Sequence, residues 1–387
     1  MTVNQIYSLV NSLAQQAYGQ TPVTVADGGS LVSLGDYVLS SETSTDIFTK
    51  TLVDRIGKTI VTNRAYTPEA ATLLKDPIEY GAVLQKIYIE PQDAIENDSW
   101  KLIEGQDYSP FIMHKRSVKQ KLFQKRATFD IPFEIPDMQL KSAFESAESM
   151  AAFISGVFTS VQMSMSVRAE QTGKLAYANF IAEKLKAQKT PEATGVHAVN
   201  LLSLYNTAHS SNLDVDTAMS DVEFLKFATA TINLYRKRMR SASVVFNTEG
   251  YIRHTPDENM SVCVLADFAT AVTSYLQADT YHNEMVALPN YTEITSWQGL
   301  GTAANFEEVS KIAVTPASGG NNIEQTGIIC VLTDINAIAM TVENVRMKSI
   351  YNPRNEVTHY YNKADYGYLN DMSENGIIFY VDDSVAA

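Results

Sequence analysis

The residues with chemistry to offer are charged ones, and they are segregated by sign. Between Glu90 and Asp107 stand six acids, Glu90, Asp93, Glu96, Asp98, Glu104 and Asp107, with one base, Lys101. Between Lys115 and Arg126 stand six bases, Lys115, Arg116, Lys119, Lys121, Lys125 and Arg126, with no acid. Blocks of opposite charge do the chemistry of association rather than of bond-making. The segment has too little apolar surface to form its own core. It reads as a hairpin or arm whose two limbs complement each other or a neighbouring molecule. Three readings stay open: an intersubunit arm, a solvated hairpin with cross-strand ion pairs, and a nucleic-acid patch.

Bond-making chemistry has little to work with. The sequence holds no phosphate loop, no Rossmann glycine pattern and no zinc-protease helix. Its six histidines, His114, His197, His209, His254, His282 and His359, are never spaced as paired metal ligands. Adjacent carboxylates at Asp257-Glu258, Glu307-Glu308 and Asp382-Asp383 sit in polar surroundings and read as solvated loop pairs. Cys263 and Cys330 each lie within an apolar run and read as buried small hydrophobes. No catalytic, metal or cofactor site emerges. The net charge of -14 argues against a dedicated nucleic-acid binder, whose affinity rests on neutralising phosphates. No apolar run approaches the ~18 residues of a membrane span. Met1–Ala17 lacks the basic and apolar regions of a secretory signal, so synthesis in the cytoplasm is expected.

Thr21–Ser33 reads as a loop or arm. Ser44 or Thr45 caps a short helix through Ile56, and a β-branched run at Thr59–Thr62 follows as a strand. Tyr80–Pro136 is extended, with Pro91, Pro110, Pro132 and Pro136, and strands at Val83–Ile89, Lys121–Thr128 and Thr128–Ile135. Phe129, Ile131, Phe133 and Ile135 alternate well. Met138–Gln188 then runs without a proline and reads as one very long helix or two nearly collinear ones. Leu140, Phe144, Ala147, Ala151, Ile154, Phe158, Val161 and Met165 recur at steps of four and three, which makes one helical stripe. The period fades past Arg168, so a bend or break is expected near Gly173. A mixed α/β block follows. Ser220 or Asp221 caps a helix that ends in Arg236, Lys237, Arg238 and Arg240, bases that complement its C-terminal dipole. Ser243–Asn247 and Met260–Leu265 read as strands. From Gly327 onward strands dominate, with Asn352–Asn355 as a turn.

Three stretches carry a resemblance. Ser44-Thr45-Asp46-Ile47-Phe48-Thr49-Lys50-Thr51-Leu52-Val53-Asp54-Arg55-Ile56-Gly57 is similar to the N-terminal region of major capsid proteins from small short-tailed phages of Gram-positive bacteria. Leu140-Lys141-Ser142-Ala143-Phe144 resembles the opening of that family's long helix. Met347-Lys348-Ser349-Ile350-Tyr351-Asn352-Pro353-Arg354, followed by Tyr360-Tyr361, resembles its Asn-Pro-Arg turn and aromatic strand. The resemblance implies an α+β fold, the tailed-phage major capsid fold of the Hong Kong ninety-seven type, also found in herpesvirus capsids and encapsulins. It implies an N-terminal arm with an early peripheral segment (1–79), an extended hairpin loop (80–136), a spine helix (137–190), an axial domain (191–326) and a closing sheet of the peripheral domain (327–387). The stripe Leu140–Met165 should then face the closing sheet. The implied function is structural: a shell of hexamers and pentamers around double-stranded DNA, touched weakly, with portal and scaffolding proteins as further partners. It places the chain in the virion capsid, off any membrane. Some relatives carry an immunoglobulin-like domain after the closing strand, and none is expected here. The rivals are an encapsulin-like compartment, an acidic α/β enzyme and a nucleic-acid binding module.

Overall fold

The computed structural model describes residues 3–41, 43–45, 47–48, 51, 84–92, 94, 104, 111, 115–123, 126–190, 195–279, 291–299 and 305–383. In chain order these form α1 (Val3–Tyr18), α2 (Gly28–Val38), β1 (Leu84–Ile89), β2 (Val118–Phe123), β3 (Arg126–Pro136), α3 (Asp137–Ala143) and α4 (Ala147–Gln188). Then come β4 (Ala198–Asn200), α5 (Leu201–His209), α6 (Val215–Ala218), α7 (Val222–Arg238), β5 (Met260–Leu265), α8 (Ala266–Asp279) and β6 (Thr292–Ile294). The rest are α9 (Phe306–Val309), β7 (Ile312–Val314), β8 (Ile323–Gln325), β9 (Ile328–Asp334), β10 (Ile338–Asn352), β11 (Val357–Asn370) and β12 (Gly376–Tyr380). The chain divides into two compact units, one of residues 1–79, 126–173 and 340–367, the other of 80–125, 174–339 and 368–387.

In the first unit the helical stripe finds its partners. Leu140, Phe144, Ala147 and Val161 of the stripe, joined by Met150 and Phe153 from beside it, share one buried core with Ile6, Val10 and Leu13 of α1, Leu31, Leu34 and Val38 of α2, Phe48, Ile135 and Tyr360, and Ala151 and Met165 pack half-buried against it. The stripe therefore meets the N-terminal helices as well as the strands β3 and β11. Gly35 lies so close to the Phe144 ring that a Cβ there would strike it. Strand β3 alternates as its sequence predicts and pairs antiparallel with β11, Phe133 opposite Tyr360 with their rings stacked at 5.1 Å. β11 is the middle strand of β10-β11-β3. Residues 126–136 thus belong to this sheet, while among the described residues of the extended stretch 84–89 pair with 118–123.

The second unit is built on a mixed five-stranded sheet in the order β4-β12-β9-β5-β6. Its middle strand β9, Ile-Ile-Cys-Val-Leu-Thr-Asp, is buried along its whole length, as a strand covered on both faces should be. Cys330 and Cys263 are both buried free thiols, and burial pushes the Cys330 thiol well up. Capping follows from local chemistry. Asn200, Asp214 and Asp221 each accept from a backbone N–H of the first turn of α5, α6 and α7, with Asp221 to Phe224 N at 2.7 Å. Among the bases ending α7, Arg236 and Arg240 also pair with Asp257, each at 3.2 Å.

Three expectations change. The predicted break near Gly173 is absent, and α4 is continuous from Ala147 to Gln188. Buried Ala169, Ala176, Tyr177 and Phe180 flank the glycine, and such packing outweighs the ~1 kcal/mol that a glycine costs a helix. The interruption lies instead at Phe144–Ser146, where the Ser146 hydroxyl accepts from Ser149 N and starts a second helix. Part of Thr21–Ser33 is helical, because Asp27 and Ser30 form a reciprocal capping box that starts α2. Ser243–Asn247 is not a strand but a loop with one bridge, Ser243 to Arg253. The Asn247 side chain bonds both the N–H and the carbonyl of Tyr251, which folds that backbone onto itself. The strand read at Thr59–Thr62 lies outside the described residues. One window of α4 has the length and composition of a membrane span. The helix as a whole supplies apolar residues to the cores of both units.

Candidate assembly surface

The ribbon of β1 and β2 carries the described part of the charged blocks. Its antiparallel register sets Lys86 opposite Lys121, Ile87 opposite Gln120, Tyr88 opposite Lys119 and Ile89 opposite Val118. Opposed residues share a face and neighbours alternate. One face therefore presents Lys86, Tyr88, Lys119 and Lys121, and the other presents Gln85, Ile87, Ile89, Val118, Gln120 and Leu122. The second face is open: Ile87 is 61% exposed, Val118 60%, Leu122 55% and Ile89 53%.

The lysine face is docked within its own unit. Lys86 Nζ donates to Asp371 Oδ2 at 2.8 Å and to the Asn336 carbonyl at 2.7 Å. Lys121 Nζ donates to Asp371 Oδ1 at 3.0 Å and to Glu249. Asp371 is fully buried, and Ser373 adds its N–H and hydroxyl to Oδ1. Burial works to raise the Asp371 pKa, but hydrogen bonds from Lys86 and Ser373 and the charges of both lysines bring it down to about 2. Burial likewise opposes the Lys121 charge, and Glu249 and Asp371 together raise its pKa. Burial raises the Glu374 pKa against the opposing charges of Arg253 and Lys86. Tyr88 lies edge-on to Tyr251 at 4.6 Å and donates to the Ile252 carbonyl at 3.0 Å, with Arg253 stacked 4.5 Å over its ring.

The two charged limbs meet at one described place, Glu90 with Lys119 at 3.4 Å. A hydrogen bond from Ser117 and then the Lys119 charge hold the Glu90 carboxyl below its ordinary range. Lys119 also sits 4.5 Å over the Tyr251 ring. Lys115 and Arg116 are exposed. Arg126 opens β3 with its backbone opposite Gly367, away from the ribbon's register. Asp93, Glu96, Asp98 and Lys125 lie outside the described residues. Lys121, a candidate for contact with a neighbouring molecule, bonds two carboxylates of its own chain, Asp371 and Glu249. Sequence reasoning missed Asp371, Glu249, Glu374 and Arg253. They come from two loops far apart in sequence, 249–253 and 371–374, and a scan for charge runs cannot gather them.

Comparison with known proteins decides what kind of molecule carries this ribbon. Residues 9–380 match the family model of the Phi29-like phage major capsid protein. The chain belongs to that family. It is similar to the major capsid protein of Bacillus phage GA-1, 22% identical with 90% of this chain and 82% of that one covered. It is also similar to the major capsid protein of Streptococcus phage Cp-1, 21% identical over 97% of this chain and 94% of that one. Among solved structures, the capsid structure of Staphylococcus phage Andhra covers 80% of this chain and 83% of its own, at 11% identity and a TM-score of 0.51. The fold is thus the phage capsid fold, and the chain is a structural major capsid protein, not an enzyme. As a capsid protein it assembles with copies of itself into a shell and is found in the virion. The compartment and enzyme readings are not favoured.

Proposed function

We propose that copies of this chain close, as hexamers and pentamers, into an icosahedral shell around the double-stranded DNA of a short-tailed phage. In it the outer face of the β1–β2 ribbon lies against a neighbouring copy. The observation that carries this reading is the apolar face itself: four aliphatic side chains more than half exposed on a ribbon whose other face is docked. Covering each is worth about 1 kcal/mol, and every copy repeats the contact. Ribbon and receiving surface are different patches, so the interface is heterologous and closes by rotation. The exposed bases Lys115 and Arg116, with Lys119, Lys125 and Arg126, and the acids Glu90, Asp93, Glu96 and Asp98 are the proposed charged rim of that contact.

The division read from the sequence, arm 1–79, hairpin loop 80–136, spine helix 137–190, axial domain 191–326 and closing sheet 327–387, is kept as part of the proposal with two shifts: β3 joins the three-stranded sheet with β10 and β11, and β9 and β12 join the five-stranded sheet. The net charge of -14 opposes adhesion to phosphates, so any contact with packaged DNA in this reading is weak. Portal and scaffolding proteins, and synthesis in the host cytoplasm, complete the reading. The test replaces Ile87 and Val118 by Ser together and images the purified full chain by electron microscopy. Folded chains that no longer form closed shells are the expected result, and shells like the wild type's would refute it.

A further inference from the structure

Lys86 and Lys121 stand on the same rung of the ribbon. Like charges directly opposed across two strands are destabilising. The rung is stable because a single carboxylate lies under it, one oxygen for each strand: Oδ2 for Lys86 and Oδ1 for Lys121. Asp371 is itself held, with Ser373 N at 3.0 Å and Ser373 Oγ at 2.7 Å, in the turn between β11 and β12. The second tier is just as directed. Glu374 receives Lys86 at 3.5 Å and Arg253 at 3.4 Å, and Glu249 receives Lys121. A fork of two lysines on one fixed carboxylate resists rotation of the ribbon about its own long axis, which a single ion pair would not.

We infer that Asp371 is the positioning residue for assembly: through Lys86 and Lys121 it fixes the pose in which the ribbon's apolar face is offered to a neighbouring copy. This rests on the reading of that face as the intersubunit contact. Asp371 touches no neighbour in that scheme and acts only through the two lysines.

The test uses the full-length chain with spin labels at Gln120→Cys, on the ribbon's outer face, and Asn212→Cys, on the exposed loop after α5. Cys263 and Cys330 are buried and stay unlabelled. The wild type should give one narrow distance distribution. D371N should broaden it and lower the yield of closed shells by about tenfold or more, the equivalent of one weakened contact per copy. D371E, which keeps the charge, should restore part of both. Removing one partner from a buried ion pair can unfold a protein, whereas replacing the whole group by apolar residues usually does not. The variant K86M/K121M/D371L is therefore the second arm, expected to stay folded with a broad distribution. A folded D371N or triple variant with a distribution as narrow as the wild type's overturns the clamp, while the Ile87 and Val118 double variant still fails to assemble. Normal shells from that double variant overturn the contact reading instead, and the clamp's role in assembly with it.

Discussion

Lys184 gives the sharpest energetic prediction. It lies on α4, wholly buried, with its ammonium 5.4 Å over the Phe180 ring and 2.8 Å from the Phe246 carbonyl. Burial drives its pKa down to about 7, against the favourable charges of Glu249 and Asp371. An amine with a lowered folded-state pKa binds fewer protons folded than unfolded between about 7 and 10.5. Stability therefore rises with pH across that window, and the full penalty stands below it. At pH 7 the penalty is about 4 kcal/mol. Lys184→Met removes it and loses one hydrogen bond worth about 1 kcal/mol. The Phe246 carbonyl keeps a partner in Gly376 N at 3.0 Å. The variant should be about 3 kcal/mol more stable than wild type at pH 7, an advantage that falls to about zero by pH 9.5. Urea unfolding of unassembled chains at a series of pH values measures this. The same substitution should raise the pKa of buried His197, which burial and the Lys184 charge push down to about 4. A difference between variant and wild type that stays constant from pH 6 to 9.5 would refute the reasoning.

Gly327 adopts φ +73°, and a Cβ there would run into the Val381 carbonyl, whose own N–H donates to Gly327 O at 2.8 Å. Gly327→Ala should cost about 3 kcal/mol or more, seen as a collapse in soluble yield and in urea midpoint. Asp221→Ala removes the cap on Phe224 N and should cost about 1 kcal/mol in the same urea assay, with Asp221→Asn restoring most of it.

Periodic and local features were legible in the sequence. The alternation Phe129–Ile135, the Asp221 cap and the buried cysteine strands depend on neighbours a few residues away, and they appear where their patterns put them. The bases at Arg236–Arg240 are also explained locally, by the helix end and by Asp257. What misled was competition. Gly173 is a helix breaker only where packing is thin, and here it is not. Ser146 was a better boundary signal than any glycine. The charged blocks within residues 90–126 raised the expectation of an associating segment, but did not tell which charges are already spent. Lys86 and Asp371 are 285 residues apart, and Lys121 and Asp371 are 250 apart. No window of sequence holds both ends of such a contact.

The place of β12 in its sheet bears on how the chain is made. Residues 376–380 lie between β4 and β9, with a parallel partner on one side and an antiparallel one on the other. A ribosome must therefore reach residue 380 before the central sheet can close. Asp371, made only a few residues earlier, arrives long after the ribbon it clamps. Such late, long-range pairing slows folding. A chain not yet made as far as residue 371 lacks the carboxylate that both ribbon lysines bond.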